Sequence, residues 1–176
     1  MDGDRYFIEV TAYHEAGHAV VAWNLGARLL EIVIDVADGI CKHNRLINFL
    51  LDPEIMSDFQ WRRAEKYAQI LLGGEMAERV FEPSSKHTDF DGDSDRRELN
   101  DLASMLFPGS ESAATEWIAN METRSEQIVR EQWNALETLA CELIVHRRLS
   151  GDAAIGILQG VGLAAPIRTS YTTINT

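Results

Sequence analysis

Val10-Thr11-Ala12-Tyr13-His14-Glu15-Ala16-Gly17-His18-Ala19-Val20-Val21-Ala22-Trp23 is the stretch from which the fold reads outward. Val10, Tyr13, Gly17, Val20 and Trp23 recur at steps of three and four, which stacks them on one face of a helix. The pattern covers residues 4–25, and Gly26 supplies a stop. Leu30-Glu31-Ile32-Val33-Ile34-Asp35-Val36 then reads as a short β-branched strand, and Ala37-Asp38-Gly39 turns the chain. Residues 40–51 return as a second strand, so a small β-hairpin or sheet follows the first helix.

Asp52-Pro53 ends the sheet and a long helix is expected over residues 57–81, with Tyr67, Ile70, Leu71, Gly74, Ala77 and Phe81 on its apolar face. Residues 82–94 are rich in Pro, Ser, Asp and Gly and read as a loop. A helix over 93–107 presents Leu99, Leu102, Ala103 and Leu106, and Pro108-Gly109 breaks it. Ser110 or Ser112 can cap the next helix, which runs to Asn120 or beyond. A longer one over 123–148 carries Val129, Trp133, Leu136, Ala140 and Leu143 as a bundle seam. Trp133 is expected to pack within the molecule. A short helix over 153–158 ends the ordered part. The fold class is therefore mainly α (α+β): a helical bundle with a small hairpin after the first helix. Residues 1–160 form the domain and 161–176 a loose C-terminal tail.

The chain has 176 residues, 45% apolar and 25% charged, an ordinary mix for a globular core. A net charge of −12 repels phosphate backbones, and the pairs Arg62-Arg63, Arg96-Arg97 and Arg147-Arg148 each sit near acids, so no nucleic-acid partner is expected. No apolar run reaches the length of a transmembrane segment. The acidic start, Met1-Asp2-Gly3-Asp4-Arg5, has no apolar core behind it and does not read as a signal peptide. Cys41 and Cys141 lack CxxC spacing and are expected as small core residues in a reducing, cytoplasmic setting.

The chemistry lies in His14-Glu15-Ala16-Gly17-His18. Histidines four apart share one helix face, so both imidazoles reach one ion, and the glutamate between them can act as general base toward water beside it. The bland alternative is a helix with two solvated histidines. Ala12, Ala16, Ala19 and Val20 around the pair argue against it. Such a site needs a third protein ligand. His43, His87 and His146 lie in the hairpin, the loop and at a helix end, at no ligand spacing, and read as solvated. Asp95 starts a helix four residues before Leu99, where an acid either satisfies free amides or ligates metal; its position alone favours the first role. Glu78 lies at the apolar edge of its helix and can orient a ligand histidine through the free ring nitrogen. The acidic run 89–95 fails the calcium-loop register: counted from Asp89, glycine stands at the fourth position and Asn100 at the twelfth. There is no GxxxxGK[ST], GxGxxG or GxSxG.

Residues 12–20 resemble the catalytic helix of the FtsH-type zinc metallopeptidases. Ile70-Leu71-Leu72-Gly73-Gly74-Glu75-Met76-Ala77-Glu78 resembles that family's second helix, typically LLGGRAAE. Asp93-Ser94-Asp95, opening a helix, resembles its SNDL segment, and residues 133–152 resemble its C-terminal helix and closing turn. The likeness runs in order over about residues 10–160. It implies a zinc-dependent metalloendopeptidase acting on unfolded proteins or peptides, with His14, His18 and Asp95 as zinc ligands, Glu15 as the base and Glu78 as the acid beside them. It reverses the reading of Asp95 as a mere cap. Ser94-Asp95-Arg96 stands where the family has Asn-Asp-Leu. The AAA ATPase module and membrane helices that family members carry ahead of this domain are not among these residues. The expected partners are thus a polypeptide substrate, laid along an edge strand of the hairpin, and a separate ATPase or a homo-oligomer. The alternatives are a non-catalytic zinc-binding or partner-binding module on the same scaffold, which would have no need of Glu15, and a metal-free helical protein.

Overall fold

The computed structural model describes residues 2–36, 38–44, 46–47, 52–83 and 94–164. Helix α1 (Asp2–Asn24) leads into strands β1 (Leu29–Ile34) and β2 (Gly39–His43). Helices α2 (Asp58–Phe81), α3 (Ser94–Leu106), α4 (Glu111–Glu131) and α5 (Trp133–His146) follow, then strand β3 (Arg148–Ser150) and helix α6 (Gly151–Gly160). The protein is mainly α with one small antiparallel sheet, ordered β2-β1-β3.

The second half of α1 is the centre of the core. Ala12, Ala16, Ala19, Val20, Val21 and Ala22 are all fully buried, because α2, α5 and the sheet pack around this helix. Tyr13 stacks between Phe81 of α2 and Trp133 of α5, at centroid distances of 3.9 and 5.6 Å. Trp133 therefore packs inside the molecule, as its seam position suggests. Where α1 crosses α2 the backbones nearly touch. A Cβ at Gly17 would collide with the carbonyl of Gly73, and one at Gly73 would lie 2.8 Å from the carbonyl of Gly17. This close approach brings His14 and His18 against α2. Ser57 starts α2 with a capping box: its hydroxyl accepts from the Gln60 amide at 3.3 Å and its own amide donates to Gln60 Oε1 at 2.9 Å.

β1 is the central strand, not an edge. Ile32 faces Cys41 on one side and Leu149 on the other, and this row points at the core. β3 is absent from the sequence reading, which gives those residues to a helix end and a turn. Arg147 explains the change of direction: it adopts φ 62°, ends α5, and its carbonyl accepts from the Ile34 amide at 2.9 Å. The long helix expected over 123–148 is also two helices. Nothing around residue 120 breaks a helix, so α4 runs through, with Met121, Ser125 and Val129 buried and Ser125 Oγ donating to the Gln69 carbonyl at 2.9 Å. The bend falls at Gln132 (φ −106°, ψ 19°), from which α5 turns to bury Leu136, Leu139, Ala140 and Leu143. Cys141, expected in the core, is exposed because it lies one residue past that stripe. Cys41 does pack against the core.

At the C-terminus Ser150 caps α6 through the Ala153 amide at 3.2 Å. Leu163 is buried and its carbonyl accepts from Trp23 Nε1 at 3.4 Å, so ordered packing extends past residue 160. The rest of the expected tail (165–176), the acidic residues 89–93, His87 and the end of the expected second strand (48–51) lie outside the described residues.

Candidate metal centre

His14 and His18 project from the buried middle of α1 one helical turn apart, with Glu15 next to His14. Their surroundings come from three other elements. α2 supplies Glu78, the carbonyl of Ile70 and the side-chain-free Gly74; α3 supplies Asp95 in its first turn; β2 supplies Gly39.

The tautomers follow from the partners. His14 Nδ1 lies 2.5 Å from Glu78 Oε1 and His18 Nδ1 lies 2.7 Å from the carbonyl oxygen of Ile70. Both partners only accept, so both Nδ1 atoms carry hydrogen, and in the neutral rings both Nε2 atoms present lone pairs. Those lone pairs face one point. The two Nε2 atoms are 2.9 Å apart, and Asp95 Oδ2 lies 2.9 Å from His18 Nε2 and 3.6 Å from His14 Nε2. Three electron-pair donors at these separations repel one another unless a cation lies among them. At tetrahedral bonds of about 2.0–2.1 Å, ligand atoms stand about 3.3 Å apart. The triangle of His14, His18 and Asp95 fits that spacing, and two imidazole nitrogens with one carboxylate oxygen suit a first-row divalent ion. The three side chains could therefore hold a divalent cation.

The protonation tendencies agree. Burial disfavours charge on His14, but hydrogen bonds to Asp95 and Glu78 outweigh it and raise the imidazole to about 10. Burial likewise opposes, and Asp95 overcomes, a rise at His18. Asp95 is disfavoured as an anion by burial, yet its hydrogen bonds with His14 and His18 hold it far below the usual carboxylate range. The imidazoles and Asp95 thus stabilise each other's charged forms, and a metal held there would replace the imidazole protons.

Glu15 is different. It is only 5% exposed and its Oε2 has no hydrogen-bond partner among the described residues. Burial raises its carboxyl above the usual range, against the pull of His18 and His14. Gly39 leaves it room: a Cβ there would stand 2.5 Å from Glu15 Oε1. Gly74 does the same for His14, whose Nε2 a Cβ would strike. Cys41 lies two residues along β2 from Gly39, on the same face; burial, then the charges of Glu15 and Asp95, push its thiol well up, so it stays protonated.

The structure thus brings His14, Glu15, His18, Glu78 and Asp95 together. His43 and His146 stand apart: His43 faces Tyr67 at 6.2 Å between ring centroids, and the exposed His146 pairs with Glu142 at 3.3 Å. Sequence reasoning missed Gly39 and the Ile70 carbonyl. No local signal marks either, since one reads as a turn glycine and the other is backbone. No family model and no curated protein sequence matches this chain, so what the centre can bind follows from its own donor geometry.

Proposed function

We propose that this protein is a zinc-dependent metalloendopeptidase that hydrolyses unfolded proteins or peptides, in the manner of the FtsH-type peptidase domain it resembles. The observation that carries the reading is the convergence of His14 Nε2, His18 Nε2 and Asp95 Oδ2 with a buried Glu15 carboxylate beside them whose Oε2 has no partner among the described residues. A metal-storing or structural site has no use for that fourth group.

Each residue has a part. His14 and His18 are neutral nitrogen donors, held in one tautomer by Glu78 and Ile70. Asp95 contributes the anionic ligand. When bound, zinc supplies Lewis acidity toward water and the scissile carbonyl. Glu15 takes a proton from the attacking water and returns it to the leaving amine nitrogen, a role that a raised carboxyl pKa favours. The substrate adds as an extended strand along the edge of the sheet. Because β1 is central, the edge beside Glu15 is β2, which approaches that carboxylate at Gly39. A separate ATPase or a second copy of the chain would deliver unfolded polypeptide to it.

Glu15→Gln tests this. It keeps size and burial but cannot take the proton. The variant is expected to bind one zinc per chain and to lose casein cleavage by a factor of at least about 100. Cleavage by E15Q at the wild-type rate overturns the peptidase reading. Full zinc occupancy in a wild-type protein that cuts no unfolded substrate favours the non-catalytic binding module instead.

A further inference from the structure

The two imidazoles and the groups that orient them belong to α1 and α2, but Asp95 belongs to α3. Whatever fixes α3 against α2 therefore decides whether the carboxylate reaches the imidazoles. Asp95's neighbour does so in two directions. Arg96 Nη1 donates to Glu122 Oε1 of α4 at 2.8 Å, and its Nη2 donates to Glu75 Oε2 of α2. Glu75 lies three residues before Glu78, on the turn of α2 that holds His14. One side chain beside the third ligand thus spans α2, α3 and α4. The side chains of Arg96, Glu75 and Glu122 are 29%, 19% and 29% exposed, withdrawn from water enough for charge-assisted bonds to count. A planar guanidinium can serve two carboxylates at fixed angles; a leucine, the residue of the SNDL pattern, makes neither bond.

We infer that Arg96 is a positioning residue of the metal centre: by bridging Glu75 and Glu122 it sets the place of the Asp95 carboxylate relative to His14 and His18. The inference rests on the metal-binding reading above. It predicts an effect on metal binding beyond any effect on folding. An ion-pair network that served stability alone would act equally on the metal-free and metal-loaded protein.

The test measures Zn2+ affinity of the full chain by competition with a chromophoric chelator, and the visible spectrum of the Co2+-loaded protein. The set is wild type, R96L, E122Q, D95A and, as a control, R124L, which breaks the surface pair of Arg124 with Glu65 (3.1 Å). R96L is expected to bind Zn2+ about 10- to 100-fold more weakly, and its cobalt spectrum to move toward that of D95A. E122Q should move the same way by less, and R124L should not move. A folded R96L with wild-type affinity and spectrum overturns the inference but leaves the centre intact, provided that D95A binds weakly. A wild type that binds no Zn2+, or a D95A as tight as wild type, overturns the metal reading and this inference with it. Should R96L not fold, E122Q decides: weakened binding supports the role and wild-type binding overturns it.

Discussion

Glu15 and Asp95 are carboxylates in one site pushed in opposite directions. Burial raises Glu15 against the pull of His18 and His14, while two imidazoles hold Asp95 ionised, so the two acids differ in their readiness to take a proton. The imidazoles give the pair a pH signature. His14, raised from 6.5 to about 10, stabilises the metal-free fold fully below about pH 6.5, and that contribution is lost as pH rises through about 10. Asp95, depressed, contributes stability above about pH 3.9 that is lost as pH falls through its folded value. Zinc would need the imidazoles neutral, so its binding would release protons and tighten as pH rises. Between pH 6 and 9 the cluster's part in the melting temperature of the chelated protein should fall, while zinc affinity increases by up to about tenfold per pH unit for each proton released. Titration calorimetry in buffers of different ionisation heat counts those protons; an affinity independent of pH would sink the account. Of these residues, the His14–Glu15–His18 spacing was legible because i, i+4 on a helix fixes a shared face without help from the rest of the fold. Asp95 was not legible alone, since an acid in a first turn looks the same whether it serves the amides or an ion. Gly39 became meaningful only when the sheet brought it to Glu15.

At the scale of elements, helices with local signals read well. The start of α2 is written in Ser57 and Gln60, and Pro108-Gly109 separates α3 from α4. The α4–α5 bend and β3 did not read, because tertiary contact makes both. Gln132 carries no breaker, and Arg147 is a left-handed residue without being glycine or asparagine. Its conformation is held by the sheet, through the Ile34 amide on its carbonyl. An L-residue there costs about 1–2 kcal/mol, and the extra freedom of an unfolded glycine returns about 0.5–1 kcal/mol of that. Arg147→Gly should thus be neutral or stabilising by up to about 1.5 kcal/mol. Arg147→Val, β-branched, should lose at least about 1 kcal/mol. Urea unfolding of the metal-free variants gives the order; R147V as stable as R147G would show that the turn carries no strain.

Across the whole molecule the candidate centre is assembled from distant chain segments: imidazoles at 14 and 18, the acid at 78 that orients His14, and the carboxylate at 95. The mainly helical class and the core of α1 were visible from periodicity, but how α3 docks was not, because contacts such as those of Arg96 with Glu75 and Glu122 form only once three helices have packed. In an unfolded chain these groups are too scattered to hold an ion, so a zinc ion held by the cluster would bind the native state and add to its stability. At a free concentration one hundred times its dissociation constant that gain is about 2.7 kcal/mol. For a chain of this length each kcal/mol moves the melting temperature by about 2–4 °C, so zinc should raise it by about 5–10 °C and excess chelator should reverse the rise. Hydrogen exchange gives the location of the effect: protection should grow most in the first turn of α3, where Asp95 sits, and least in α6. His18→Ala should abolish both responses. A zinc-induced rise that survives in that variant would mean that the ion binds somewhere else on this acidic protein, and that the α1–α3 cluster is not its site.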